Sequence, residues 1–317
     1  MKFLICGLGS IGLRHLRNIR ELGYNDIILF RSGKSVVPGL TEAEGLRCYS
    51  SIDEALAESP DICVISNPTS MHVATAVKAA NSGCHLFIEK PLSNNLEGVD
   101  ELSSLVERNN LISLVTYQFR YHPHIKILKK LISEDNKYGN AVYASAEWSE
   151  YLPDWHPWED YRLGYSARLD LGGGVLMTQI HPLNYLNYIF GDISSLQVKK
   201  HSTNTLGIEA DDVADIIISF RVGVLGHVHV DYLQKPRVHT LKIVTEKGRF
   251  EWDCHQNALQ FIYMNGETDE FSNHGFRRND MFLEMLRDFV QSVICKTSTV
   301  FSVADAVTEL SLLSASE

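Results

Sequence analysis

The chain has no Cys-x-x-Cys pair and no cysteine or histidine grouping at metal-ligand spacing, although six cysteines are present among 317 residues. A cysteine-built metal site or a dithiol redox pair is therefore not expected. Cys6, Cys48, Cys63, Cys84, Cys254 and Cys295, most of them inside apolar runs, read as buried reduced thiols. No stretch reaches about 18 uninterrupted apolar residues, as a membrane-spanning helix needs. Glycine enters MKFLICGLG too early for a signal peptide's apolar region, so a cytoplasmic location is expected. Positive charge is scarce: 29 Lys and Arg stand against 39 Asp and Glu, a formal net charge of -10. Partners dominated by nucleic acid or anionic membrane do not fit that balance, whereas a local basic pocket for a small anionic substrate does. Internal repeats, low-complexity tracts, a Gly-x-Ser-x-Gly elbow and a Walker loop are also missing.

What is present is ordinary globular material, 44% hydrophobic and 21% charged, enough for a sizeable core and two domains. The segment MKFLICGLGSIGLRHLRNIRELG begins with an apolar run, Phe3 to Cys6. It continues as Gly7-x-Gly9-x-x-Gly12 and then places Ile11, Leu16, Ile19 and Leu22 at helical spacing. That order is strand, tight turn and amphipathic helix, the dinucleotide fingerprint. Gly7 makes the turn, Gly9 lets backbone approach a pyrophosphate, Gly12 permits close helix packing, and Ser10 and Ile11 open the helix whose N-terminus faces the phosphates. A second apolar run, DIILF, follows where a returning parallel strand belongs and ends in FRSGKS. Arg31, Ser32 and Lys34 offer donors and positive charge where an acidic residue would select a free ribose hydroxyl, so NADP is favoured over NAD; the alternative is that Arg31 stacks on adenine.

Strand and helix keep alternating through DICVISNP, MHVATAVKAANSG, CHLFIEKP, NNLEGVDELSSLVERNN, read as a helix with an Asn cap, and LISLVTYQFRY. This pattern specifies a doubly wound parallel sheet. Ligands bind such a sheet beyond the carboxyl ends of its strands, where Asn67, Lys90, Gln118 and Arg120 fall. Lys90 precedes Pro91, which holds it extended, with a peptide bond able to be cis. A lysine partly desolvated beside an oxidised nicotinamide gives up its proton more readily, as proton exchange with an alcohol or ketone during hydride transfer requires.

These motifs resemble the Gfo/Idh/MocA oxidoreductases: Gly7-x-Gly9-x-x-Gly12, SNPTSMH, Glu89-Lys90-Pro91, YQFRYHP at 117 to 123, and LGGGVLMTQIH at 171 to 181, in that order over nearly the whole chain. The resemblance implies a Rossmann domain over residues 1–120. It implies a C-terminal α/β domain over 121–317, whose large, mostly antiparallel open sheet packs on another subunit in a homodimer or homotetramer, with the last helix able to return to the first domain. It implies reversible hydride transfer between NAD(P) and a hydroxyl-bearing carbon of a sugar, cyclitol or nucleotide sugar. By position Lys90 resembles the family's catalytic lysine and His181 the histidine at the reacting hydroxyl, while Asn67, His72, Glu89 and Gln118 fall where the family lines its cofactor. Many members carry an aspartate shortly before that histidine. Met177 and Thr178 stand there in this chain, and Asn184 replaces a frequent aspartate after it.

The second half begins with a helix in YHPHIKILKKLISE and a strand at NAVYASAEWSE, followed by a long irregular segment rich in Trp, Tyr and Arg. Its aromatic faces suit either a carbohydrate ring or a subunit contact. Trp158, Tyr161, Arg162 and Arg168 are candidate substrate contacts, with Arg120, Thr178, Lys90 and His181. Gly172 to Gly174 free the backbone before the helix bearing His181, which Pro182 is placed to kink. The runs VADIIISF, VLGHVHVDYLQ, HTLKIVTEKG, GRFEWD and ALQFIYM then read as about five or six antiparallel strands, followed by two closing helices. His227 and His229 alternate on one face without a third ligand, which favours a sheet surface over a metal site. The combined expectation is an NADP-preferring dehydrogenase of a sugar or nucleotide sugar. Two alternatives remain, a non-catalytic NAD(P)-binding regulator of the same fold and a reductase of a non-sugar molecule.

Overall fold

The structure, a computed structural model, describes residues 1–31, 40–134 and 136–316, so the expectations for Ser32 and Lys34 lie outside the described residues. The chain divides into two compact units. Residues 1–117, 170–172 and 279–314 form one, and residues 118–169 and 173–278 form the bulk of the other.

In the first unit β1 (Phe3–Cys6), α1 (Ser10–Glu21), β2 (Ile27–Phe30), β3 (Arg47–Tyr49), α2 (Ile52–Ala57), β4 (Ile62–Ile65), α3 (His72–Asn81), β5 (His85–Glu89), α4 (Val99–Arg108) and β6 (Ser113–Thr116) follow one another. The six strands are parallel, in the order β3-β2-β1-β4-β5-β6. FLIC and ICVI are apolar on both faces, as strands covered on both sides by helices must be, and all eight residues are buried. The expected Asn cap of α4 is not formed. The Asn95 side chain accepts from the Glu97 N–H in a separate turn, and Gly98 at φ 70° intervenes before the helix opens at Val99.

The second unit contains α5 (Pro123–Glu134), β7 (Ala141–Ser149), α6 (Val175–Thr178), α7 (His181–Phe190), β8 (Ile193–His201), β9 (Val213–Phe220), β10 (Leu225–Asp231), β11 (Val238–Thr245), β12 (Gly248–Asp253), β13 (Ala258–Tyr263) and β14 (Thr268–Glu270). Its sheet has eight strands, not five or six, in the order β14-β13-β12-β11-β7-β10-β9-β8. It is mostly antiparallel, with β7 and β10 paired in parallel. The strands missing from the sequence count are the edges, polar β8 and three-residue β14, which carry little apolar alternation. Pro182 does not kink a helix. It lies in the first turn of α7, a second helix separated from α6 by Gln179 and Ile180, where its missing N–H costs nothing.

The chain re-enters the first unit along α8 (Arg278–Cys295) and α9 (Val303–Ala315). Phe289 packs edge-on against Phe87 of β5, the Val115 N–H donates to the Phe301 carbonyl, and the Tyr117 hydroxyl donates to Glu309. Cys6, Cys63 and Cys84 are buried as expected, and burial pushes the Cys84 thiol up to about 12. Cys48 and Cys295 depart from that expectation and are exposed. Among the described residues no helix is long and apolar enough to cross a membrane.

Buried imidazoles set the acid response of the second unit. His122 packs against Phe119, Trp252 and Phe276, and its Nδ1 accepts the His124 N–H. Burial, and secondarily His124, holds it down to about 3. Below its ordinary value of 6.5 the unfolded chain takes a proton that the folded one refuses, so stability falls as pH drops from 6.5 toward 3. Replacing His122 with Asn, which keeps an acceptor, should reduce the acid slope of unfolding free energy between pH 6 and 4 by about 1.4 kcal/mol per pH unit in urea titrations. An unchanged slope would refute this assignment.

Candidate active site

In the first unit the turn between β1 and α1 is packed backbone against backbone. Gly7 has φ +93°, and a Cβ there would lie 2.8 Å from the Asn67 nitrogen. A Cβ on Gly12 would lie 2.3 Å from the Gly7 carbonyl oxygen and 2.8 Å from Ser66 Oγ. Gly9 differs, because a Cβ there would meet nothing within 4 Å. It is also the N-cap of α1 and supplies no side-chain cap, so the opening turn through Ser10, Ile11 and Gly12 begins at an uncapped helix N-terminus. Open space at that terminus is what an anionic pyrophosphate requires.

The ends of β4 and β5 are joined beside this turn. His72 hydrogen-bonds the Pro91 carbonyl through Nδ1 and the Asn67 carbonyl through Nε2, each at 2.9 Å. Burial lowers the His72 pKa against the opposing pull of those two carbonyls. Asn67 donates to Thr75 at 2.9 Å, and its buried Oδ1 has no hydrogen-bond partner among the described residues. Lys90 follows β5 and is partly exposed, and the Lys90–Pro91 bond is cis. Glu89 is buried and lies 2.7 Å from His15 Nε2. Arg31 ends β2, where its N–H donates to the Tyr49 carbonyl.

In the second unit a 3-10 turn, Gln118–Tyr121, brings Gln118 Nε2 to 3.1 Å from His181 Nε2. In the assigned amide orientation Gln118 donates to that ring nitrogen. The His181 ring stacks on Trp148 at 5.3 Å and meets the edge of Phe119 at 5.2 Å. His239 also stacks on Trp148, at 4.4 Å with the two rings nearly parallel. Arg120 is buried and donates to Asn184 at 2.7 Å and Asn187 at 3.1 Å, which fastens the turn to α7. Thr178 is buried at the end of α6. In the irregular segment the Tyr161 hydroxyl donates to the Leu206 carbonyl, the Arg162 guanidinium is paired in bidentate fashion with Asp160, Trp158 stacks on His156, and Arg168 is exposed.

Sequence reasoning missed Asp211 and His239. The Asp211 carboxylate accepts from the Leu176 N–H, and its carbonyl from Val175, so it opens α6 where Gly174 at φ +110° leaves room for it. Neither residue carries a local motif; only the tertiary fold delivers it.

The first 117 residues match the family model described as an oxidoreductase family with an NAD-binding Rossmann fold, and residues 125–251 match the GFO/IDH/MocA C-terminal domain. The chain belongs to the Gfo/Idh/MocA family. It is an NAD(P)-dependent oxidoreductase of that family. It is 25% identical over 302 residues to a myo-inositol 2-dehydrogenase of Thermotoga maritima, spanning 91% of this chain and 84% of that one. It is 26% identical over 252 residues to a levoglucosan dehydrogenase of Pseudarthrobacter phenanthrenivorans, spanning 70% and 63%. Among solved structures, levoglucosan dehydrogenase in complex with NADH and levoglucosan superposes with a TM-score of 0.85 at 16% identity, over 99% of this chain and 95% of that one. UDP-N-acetylglucosamine 3-dehydrogenase from Acidithiobacillus ferrooxidans does so at 0.80 and 18%, over 98% and 94%. At these identities the structural likeness is one of fold.

The second and third glycines of the motif should therefore behave differently. Gly12→Ala must displace backbone and is expected to cost about 1–3 kcal/mol of stability. Gly9→Ala should melt like wild type yet bind nucleotide more weakly, because its methyl occupies the open space. Thermal denaturation with a cofactor titration reads both, and a destabilised Gly9→Ala or an undisturbed Gly12→Ala would contradict the packing described.

Proposed function

We propose that the protein is a dehydrogenase or reductase acting on a secondary hydroxyl or ketone of a sugar or nucleotide sugar, with NADP(H) preferred. The observation that supports it most is the first unit's pairing of an uncapped, open phosphate turn with a lysine fixed at the end of β5. Relatives named as dehydrogenases of myo-inositol, levoglucosan and a nucleotide sugar support the substrate class.

Gly7, Gly9, Ser10, Ile11 and Gly12 hold the pyrophosphate, and Asn67 Oδ1, His72, Glu89 and Gln118 line the remainder of the cofactor site. Arg31, with Ser32 and Lys34, selects the 2′-phosphate. When bound, the nicotinamide supplies hydride acceptance and donation. Lys90 Nζ takes the hydroxyl proton in the oxidative direction and returns it in the reductive one. His181 orients the same oxygen, while Arg120, Trp158, Tyr161, Arg162, Arg168 and Thr178 contact the rest of the substrate. The open sheet joins two or four copies of the chain.

Fluorescence titration with NADPH and NADH, followed by a panel of sugars and nucleotide sugars, tests this reading. Wild type should bind NADPH more tightly, and Arg31→Ala should remove the difference. Lys90→Ala should still bind cofactor but lose about 10²–10⁴-fold in turnover. Turnover that survives in Lys90→Ala would refute the role of the lysine. Binding without turnover on any panel member would favour the regulator reading, and equal affinities would remove the NADP preference.

A further inference from the structure

The first unit holds a buried pair of titratable groups, His15 and Glu89, of which the proposed function uses only the carboxylate. His15, on the inner face of α1, is fully buried, with its ring edge-on to Phe87 at 5.1 Å and tilted against Phe282 at 6.4 Å. Its Nε2 lies 2.7 Å from Glu89 Oε1, and its Nδ1 has no hydrogen-bond partner among the described residues. A ring with a single proton on Nε2 fits this site, because a second proton on Nδ1 would point at hydrocarbon with nothing to accept it. The pair then carries one net negative charge. Burial works to raise the Glu89 carboxyl, but His15, then Lys90 and Thr116, overcome it and keep the group below its ordinary value. Those three and His72 are the polar groups whose interaction with Glu89 is resolved.

This charge lies at the carboxyl end of β5. In a doubly wound sheet the turn after β1 takes the pyrophosphate and the end of β2 takes the adenosine, which leaves the ends of β4, β5 and β6 to the nicotinamide half. The nicotinamide ring is positive when oxidised and neutral when reduced. We propose that His15 is a positioning residue that keeps Glu89 ionised beside Lys90, so that the site favours the oxidised cofactor over the reduced one. The inference rests on the cofactor-site reading above and adds a residue that the glycine, lysine and histidine motifs do not include.

The test measures a ratio of affinities and needs no substrate. The full chain and its variants are titrated at neutral pH with reduced cofactor by fluorescence, and with oxidised cofactor by displacement. Glu89→Gln and His15→Leu should each weaken binding of the oxidised form relative to the reduced form by about three- to tenfold, as expected for one partly screened charge at close range. His15→Gln, whose amide N–H can replace the ring donor, should restore the wild-type ratio, and combining His15→Leu with Glu89→Gln should add nothing. A purely structural role would weaken both forms equally, and an unchanged ratio in Glu89→Gln overturns the proposal. If His15→Leu does not fold, Glu89→Gln and His15→Gln still decide the outcome. Failure of wild type to bind either form overturns the cofactor reading and this inference with it, whereas binding with an unmoved ratio overturns this inference alone.

Discussion

Everything in the first unit is organised by one close contact, the approach of Gly12 to the Gly7 carbonyl. At 2.3 Å from a hypothetical Cβ, the contact admits no side chain at position 12. It locks the first turn of α1 against the end of β1 and the start of the segment after β4. Rigidity here has a chemical use. A helix N-terminus can hold an anion only where its N–H groups are left uncapped and uncovered, and both conditions are met at Gly9 because Gly7 and Gly12 take up the steric load on either side.

The neighbouring strand ends are fixed by imidazoles. His72 bridges the segments after β4 and β5 through two carbonyls, and His15 ties α1 to the last residue of β5. Six of the thirteen histidines are buried, a high share for a side chain that titrates near neutrality. An imidazole is cheaper to bury than a carboxylate and presents a ring nitrogen to either side, so it can reach two turns that lack regular backbone pairing. At His122 acid reverses that advantage, since protonation would add a charge among aromatic rings.

Most of the first unit was legible in the sequence. Five of its six strands contain apolar runs, its helices are amphipathic, and its glycines stand at fixed offsets, whereas the exposed β3, with the short α2 after it, carries no such signal and was not read. The second unit was less legible where its signals are tertiary. Edge strand β8 alternates too weakly to stand out because residues on both of its faces are largely exposed and polar. The start of α6 is held by Asp211, which caps it from a distant loop and has no motif. Gln118 and Arg120 read correctly as residues at a strand end, but which neighbour each would choose depended on α7. His15 escaped notice because a histidine on an amphipathic helix looks like any other core position until Glu89 is seen beside it.

The departure from the family's aspartate before His181 takes on physical meaning from these partners. A carboxylate beside an imidazole accepts its proton and stabilises the charged ring, whereas an amide that donates to Nε2 keeps the ring neutral. Asn184, at the other position where an aspartate is frequent, accepts from Arg120 at 2.7 Å, which ties the 3-10 turn to α7. Among the partners of His181 are Gln118, the face of Trp148 and an edge-on contact with Phe119, neutral groups that fix orientation. A ring so placed is suited to orienting a hydroxyl and poorly suited to carrying its proton. This division of labour supports giving the proton to Lys90, the one residue of the proposed catalytic pair that has a carboxylate, Glu89, next to it in the chain.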